Sequence, residues 1–310
     1  MHNKMRAAAA LFFLLSAFSC GGVRSSQKLP LVAGIMPQKY ILDRLGGEYL
    51  DVSVLVAPGE NPHMYNATPR QMDRLLSAKA FFVSGQEFED VLIDKLKPQL
   101  QGVLLVNTIR DIRLRTFKDV VEAGNETGGT RAGGDHGDGA GTHDTHGHGI
   151  EDPHSWLDPL IFTRQAKTMS DALCELDPDH ADTYRKNYEI LSRELAALNE
   201  KIAALLLPVK GRVMFVYHPA FGYFTDAYGL VQVAVEAEGK SAGTAELERT
   251  IEFIRQKGVK VIFSQPQNPE AGVRALAEAL KLRIVVLDPL AYDYPKNLLA
   301  MAGEIRQALE

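Results

Sequence analysis

Short apolar runs alternate with helical patterns along most of this chain. In the first half the strand-like runs are 31–36, 51–56, 80–84 and 103–106, with helical patterns between them. Thr68-Pro69 opens one of these helices toward Ser77, with a capping residue followed by Pro at the first helical position. This β/α alternation predicts a parallel sheet. A helix over about 161–175 comes next, and then a longer one, 178–207, opened by Asp177-Pro178 and stopped by Pro208. In the long helix Tyr184, Tyr188, Leu191, Leu195, Leu198, Ile202 and Leu205 recur at spacings of four and three, giving one apolar stripe. It has no internal Gly or Pro. At 1.5 Å per residue it reaches roughly 45 Å, enough to run along two domains. The second half repeats the α/β logic, with strands at 212–217, 230–235, 259–263 and 283–287. Helices lie at about 244–257 and 269–280, the latter capped by Asn268.

The pattern predicts an α/β fold of two lobes, each a four-stranded, mainly parallel sheet flanked by helices. One long rigid helix, 178–207, joins an N-terminal lobe at 29–177 to a C-terminal lobe at 208–310. A length of 310 residues accommodates two such units. Hydrophobic residues make up 45% of the chain, a globular value, and the net charge of −5 gives no reason to expect nucleic-acid binding.

Composition changes the picture at two places. The chain opens with Lys4 and Arg6, an apolar run over 7–15, then small residues and Cys20. This is the pattern of a signal peptide, residues 1–20, and predicts an exported protein of the periplasm or cell surface. Ala17-Phe18-Ser19-Cys20-Gly21 resembles a loose bacterial lipobox, so Cys20 is the candidate lipidation site and the membrane a partner through a lipid anchor. Residues 21–28 are small and polar, suiting a tether. Cys174, the other of the two cysteines, falls in a helical pattern and reads as a buried core residue, so no disulfide framework is expected. The second place is 133–150, a low-complexity run with seven Gly, four His and three Asp, read as a mobile loop.

The candidate chemistry is a scattered set of metal ligands: His63, His154, His218 and Asp288. Each has a Pro beside it (Pro62, Pro153, Pro219, Pro289), which stiffens the local backbone. His218 and Asp288 directly follow strands, and His63 follows one after a short Pro/Gly turn. Ligands in open α/β sheets bind beyond the carboxyl ends of strands, so two ligands from each lobe converge on the cleft between the lobes. Three imidazoles and one carboxylate form a closed four-coordinate set for a divalent cation such as Zn²⁺. Any one of these residues alone reads more simply as a surface His or an ordinary Asp-Pro turn; the inference rests on the four together. Glu60, three residues before His63, is a candidate outer or substitute oxygen ligand. His136, His143, His146 and His148 are candidates for a secondary, weaker metal site, since Gly between the imidazoles fixes no geometry.

The motifs Asn61-Pro62-His63-Met64-Tyr65, Asp152-Pro153-His154-Ser155-Trp156-Leu157-Asp158-Pro159 and His218-Pro219-Ala220-Phe221-Gly222-Tyr223-Phe224 carry a resemblance. Over residues 29–310 the chain resembles the solute-binding proteins of bacterial ABC transporters for zinc and manganese, cluster A-I. The resemblance implies His63 and His154 from the first lobe, and His218 and Asp288 from the second, as direct ligands of one metal ion. It also implies the linking helix, an inner-membrane permease as partner, and no catalysis. Two departures stand out. Members often carry Glu ahead of a Pro-Gln where this chain reads Ser264-Gln265-Pro266-Gln267, and some zinc members carry a second-lobe disulfide for which this chain lacks the cysteines.

Zinc is the expected metal, because an imidazole-rich set suits Zn²⁺ while Mn²⁺ favours more oxygen. In the resemblance, too, manganese members tend to replace the third His with Glu. The expected function is a monomeric, high-affinity zinc receptor for an uptake transporter. Two alternatives stand beside it: an exported zinc-dependent hydrolase, which would keep an open coordination position, and a manganese-specific receptor or adhesin of the same family.

Overall fold

The computed structural model describes residues 28–117, 151–237, 240–241 and 243–310. The first sheet is built from β1 (Leu29–Ala33), β2 (Leu50–Val54), β3 (Ala80–Val83) and β4 (Leu104–Asn107). All pairs are parallel and the order is β2-β1-β3-β4. Helices α1 (Met36–Gly46), α2 (Pro69–Ser77) and α3 (Glu87–Leu96) make the crossovers. The expected strands are all present, with only their ends displaced. The expected cap of α2 is present as well. Thr68 accepts a hydrogen bond from Gln71 N, and the Gln71 side chain accepts one from the cap's own backbone N–H.

After β4 the chain runs to Thr116, which pairs with Glu151 in an isolated antiparallel bridge. The candidate ligands His136, His143, His146 and His148, and Cys20 with the signal and the tether as far as residue 27, lie outside the described residues. Helix α4 (Pro159–Leu176) starts at Asp158, whose carboxylate accepts from Leu160 N and Ile161 N. The linking segment differs in detail from expectation. Pro178–His180 forms a 3-10 turn, and the α-helix proper, α5, is Ala181–Leu206. Asp177 does not cap it; its carboxylate takes the Tyr184 hydroxyl at 2.5 Å and faces His180 Nδ1 at 2.7 Å.

The second sheet contains β5 (Val213–Val216), β6 (Val231–Ala234), β9 (Val261–Ser264) and β10 (Arg283–Val286), again all parallel. Between them lie α6 (Gly222–Tyr228), a short hairpin of β7 (Glu236–Ala237) and β8 (Lys240–Ser241), α7 (Thr244–Gln256) and α8 (Glu270–Leu280). Helix α9 (Tyr294–Leu309) follows β10. Asn268, the expected cap of α8, makes no cap bond; its amide goes to Ser264 Oγ, and Pro269 occupies the cap position. Starting from β6, the second sheet runs β6-β5-β9-β10, the same order as the first. Each sheet therefore changes winding direction between its first and third strands, where open α/β sheets form a crevice.

The apolar stripe of α5 is buried as expected: Tyr184, Leu191, Leu195, Leu198 and Ile202 lie in the core, with Tyr188 and Leu205 partly covered. This helix packs on α1, α4 and α9, and one continuous core joins residues of both sheets around it, from Leu31 and Phe81 to Val216, Phe263 and Val285. Cys174 is half-buried against that core and free, its thiol directed at Ala181 O.

Candidate metal centre

Pro62–Met64 forms a 3-10 turn after β2, stapled by the Asn61 side chain accepting from His63 N at 2.9 Å. This turn aims the His63 ring inward although the residue as a whole stays open to solvent. The second imidazole comes from the stretch before α4, and every polar residue of that motif is used. Asp152 Oδ1 accepts from His154 N at 3.0 Å and lies 2.8 Å from His154 Nδ1. Ser155 Oγ accepts from Gln165 Nε2, Trp156 Nε1 donates to Pro289 O, and Asp158 caps α4. The third imidazole, His218, stands two residues past β5, on the winding-change edge of the second sheet. Its Nδ1 faces Glu236 Oε2 at 2.8 Å.

A carboxylate can only accept, so Nδ1 of both His154 and His218 carries the proton and each Nε2 offers its lone pair. Backing a histidine ligand in this way is the usual device for fixing ring orientation in metal sites. The Nε2 atoms of His63 and His218 are 3.2 Å apart. One ligand nitrogen from each of His63, His154 and His218 lies within 4.8 Å of the others. Two nitrogens at tetrahedral angles on a zinc ion, each about 2.05 Å from it, sit about 3.3 Å apart. The first pair already has that spacing, and His154 needs a shift of no more than about 1.5 Å to join. Desolvation first, then the neighbouring imidazoles of His218 and His154, press the His63 pKa down to about 4, which keeps the ring neutral and free to ligate. Burial likewise lowers His218, against the opposing pull of Glu236.

The three rings face a cavity of about 220 Å³, lined also by Trp156, Glu236, Gln265 and Gln267. Asp288 is not part of the three-imidazole group. Its Oδ1 accepts from Gln267 Nε2 and from Leu290 N, both at 3.0 Å, while Asn297 donates to its backbone oxygen. Glu60 is turned away as well, its carboxylate accepting from Ala57 N at 2.9 Å and closing its own loop. Sequence reasoning missed Glu236 and Gln267. Glu236 lies two residues past the end of β6, so the rule that ligands gather beyond carboxyl ends of strands would have flagged it. Gln267 is the Gln of the Pro266-Gln267 pair, and it carried no weight in the sequence beside the departure at Gln265.

Comparison with known proteins adds a family. The family described as "ZnuA: Zinc-uptake complex component A periplasmic" matches residues 31–308. The chain belongs to this family. The zinc uptake protein ZnuA of Brucella abortus is 27% identical over 332 residues, covering 96% of this chain and 97% of that protein. ZnuA of Yersinia pestis is 28% identical over 264 residues, covering 84% and 82%. A crystal structure of ZnuA superposes with a TM-score of 0.77 at 30% identity, covering 92% of this chain and all of that one. The two-sheet architecture with its long connecting helix is thus the family's fold.

Proposed function

We propose that this chain is the high-affinity zinc receptor of an ABC-type uptake system, capturing Zn²⁺ at His63, His154 and His218 and passing it to an inner-membrane permease. The convergence of three imidazole nitrogens, with one pair already at zinc spacing, carries this reading. An all-imidazole core ranks Zn²⁺ above Mn²⁺. Asp288 completes the shell once a cation draws its carboxylate from Gln267, with the next two residues, Pro289 and Leu290, already lining the cavity. Export, attachment through Cys20, a monomeric state and weaker zinc capture by His136, His143, His146 and His148 complete the proposal. The named roles of the ZnuA relatives support it, and the family match weighs against the hydrolase alternative.

Metal analysis and chelator competition test the reading. Purified protein is expected to hold one tight Zn²⁺ and to release bound Mn²⁺ when Zn²⁺ is added. The double change His63→Ala, His218→Ala abolishes tight binding, whereas Asp288→Asn weakens it by roughly tenfold, because water can fill a fourth position. Tight binding that survives the double change would refute the site.

A further inference from the structure

Behind His154 lies a charged side chain that the metal site itself does not use. Arg115 sits in the stretch that leaves β4, with a side chain only 10% exposed. Its Nη1 meets Asp152 Oδ2 at 3.1 Å, and Asp152 is fully buried. Its Nε meets Asp226 Oδ2 at 2.8 Å, on α6 of the other sheet's side. Asp152 is therefore divided, with Oδ1 serving His154 and Oδ2 serving Arg115.

The backbone repeats the connection. Asp152 N donates to Arg115 O at 2.9 Å. Arg115 N donates to the Tyr223 hydroxyl, which in turn donates to Asp152 O, both at 2.9 Å. The guanidinium also stands 5.8 Å from the Tyr223 ring centre. Gly222, the first residue of α6, makes room for all of this: a Cβ there would collide with Arg115 Nη1 and press on Asp152 Oδ2 at 2.8 Å. That glycine lies four residues past His218.

A buried carboxylate is stable only with a countercharge and filled hydrogen bonds. Arg115 is that countercharge, and its planar fork sets the direction of Asp152 as well as its charge. We infer that Arg115 is a positioning residue for the metal centre: it fixes Asp152 against His154 and ties that pair to the helix following His218, so that imidazoles from the two lobes are held in register. This rests on the three-histidine reading of the site. Arg115 does not touch the metal; it acts through Asp152 on one side and through Tyr223 and Asp226 on the other.

The test compares wild type with Arg115→Ala and Asp226→Asn, using Zn²⁺ competition against a chromophoric chelator and the visible spectrum of the Co²⁺-loaded protein. The Co²⁺ spectrum reports ligand geometry, which a loss of overall stability does not change. Arg115→Ala is expected to lower zinc affinity tenfold or more and to alter the Co²⁺ bands. Asp226→Asn removes the charge of only the exposed arm and should lower affinity severalfold at most. Should Arg115→Ala fail to fold, Arg115→Gln, which keeps the aliphatic stem and a polar end but loses the charge and the fork, carries the same expectation. A folded Arg115 variant with affinity within twofold of wild type and an unchanged Co²⁺ spectrum overturns the inference while leaving the metal site intact. Wild-type protein that binds neither ion overturns the site and the inference together.

Discussion

Glu89 is a fully buried carboxyl whose hydrogen bonds come from Ser84 N at 2.8 Å, Gln86 N at 3.0 Å and the Ser84 hydroxyl. Desolvation outweighs those bonds and pushes its pKa up to about 7 from an ordinary 4.5. Between those two values the folded chain holds a proton that the unfolded chain releases. Stability from this group is therefore greatest below the unfolded pKa and falls as pH rises toward 7, by about 1.4 kcal/mol for each pH unit crossed. Glu89→Gln keeps the shape of the protonated acid and removes the dependence. Urea melts should show the variant gaining on wild type by a few kcal/mol as pH rises from about 5 to about 8; a gain equal at all pH values would contradict this. The same burial explains why some residues were legible in sequence and others were not. His63, His154 and His218 announce themselves by type and by the prolines beside them. Glu89 and Arg115 are ordinary charged residues whose meaning comes from what the fold places around them, and nothing local to Arg115 signals that Asp152 and Asp226 flank it.

Helix α5 carries the connection between the sheets, and at 26 residues it is about 39 Å long. It has no Gly or Pro to kink at, and its buried stripe is part of a core that continues into both sheets. Swinging one lobe would break that core as well as bend the helix. Trp156 Nε1 to Pro289 O, Tyr294 hydroxyl to Trp156 O and Tyr292 hydroxyl to Asp43 add direct ties across the cleft. Solution scattering of the metal-free and zinc-loaded protein should superpose closely, with change confined to the turns carrying His63, His154 and Asp288. A closure of tens of degrees, as in hinged receptors, would exclude this picture. The strands and α5 were readable because a parallel sheet needs continuous apolar runs and a packed helix needs a 3.6-residue stripe. Helix α6 was missed because Gly222–Tyr228 spans only two turns and is buried on nearly every side, which erases periodicity. The β7/β8 hairpin is two residues per strand, below any pattern.

Across the whole molecule the two sheets share one strand order, yet their crevices are used differently. In the second sheet the edge beyond β5 and β9 presents His218 and Gln265 to the cavity. In the first, the matching place beyond β1 and β3 is filled by the Glu89 side chain, packed so closely on Gly34 that no Cβ fits there. The first lobe therefore brings His63 and His154 in from longer loops farther out, and the candidate centre lies between the lobes. One of those loops springs from the Thr116–Glu151 bridge and the backbone bond from Asp152 N to Arg115 O. Those contacts close the neck of the span 118–150 just before His154. Removing 133–149 should leave one tight zinc equivalent and strip only weaker ones in calorimetry; loss of the tight phase would mean that the span supplies a primary ligand. With its two flanks pinned together, the number of residues between them costs little, since doubling the length of a closed span adds only about 0.6 kcal/mol. A fluorescent domain could therefore be spliced into this span to report metal capture by an otherwise native protein.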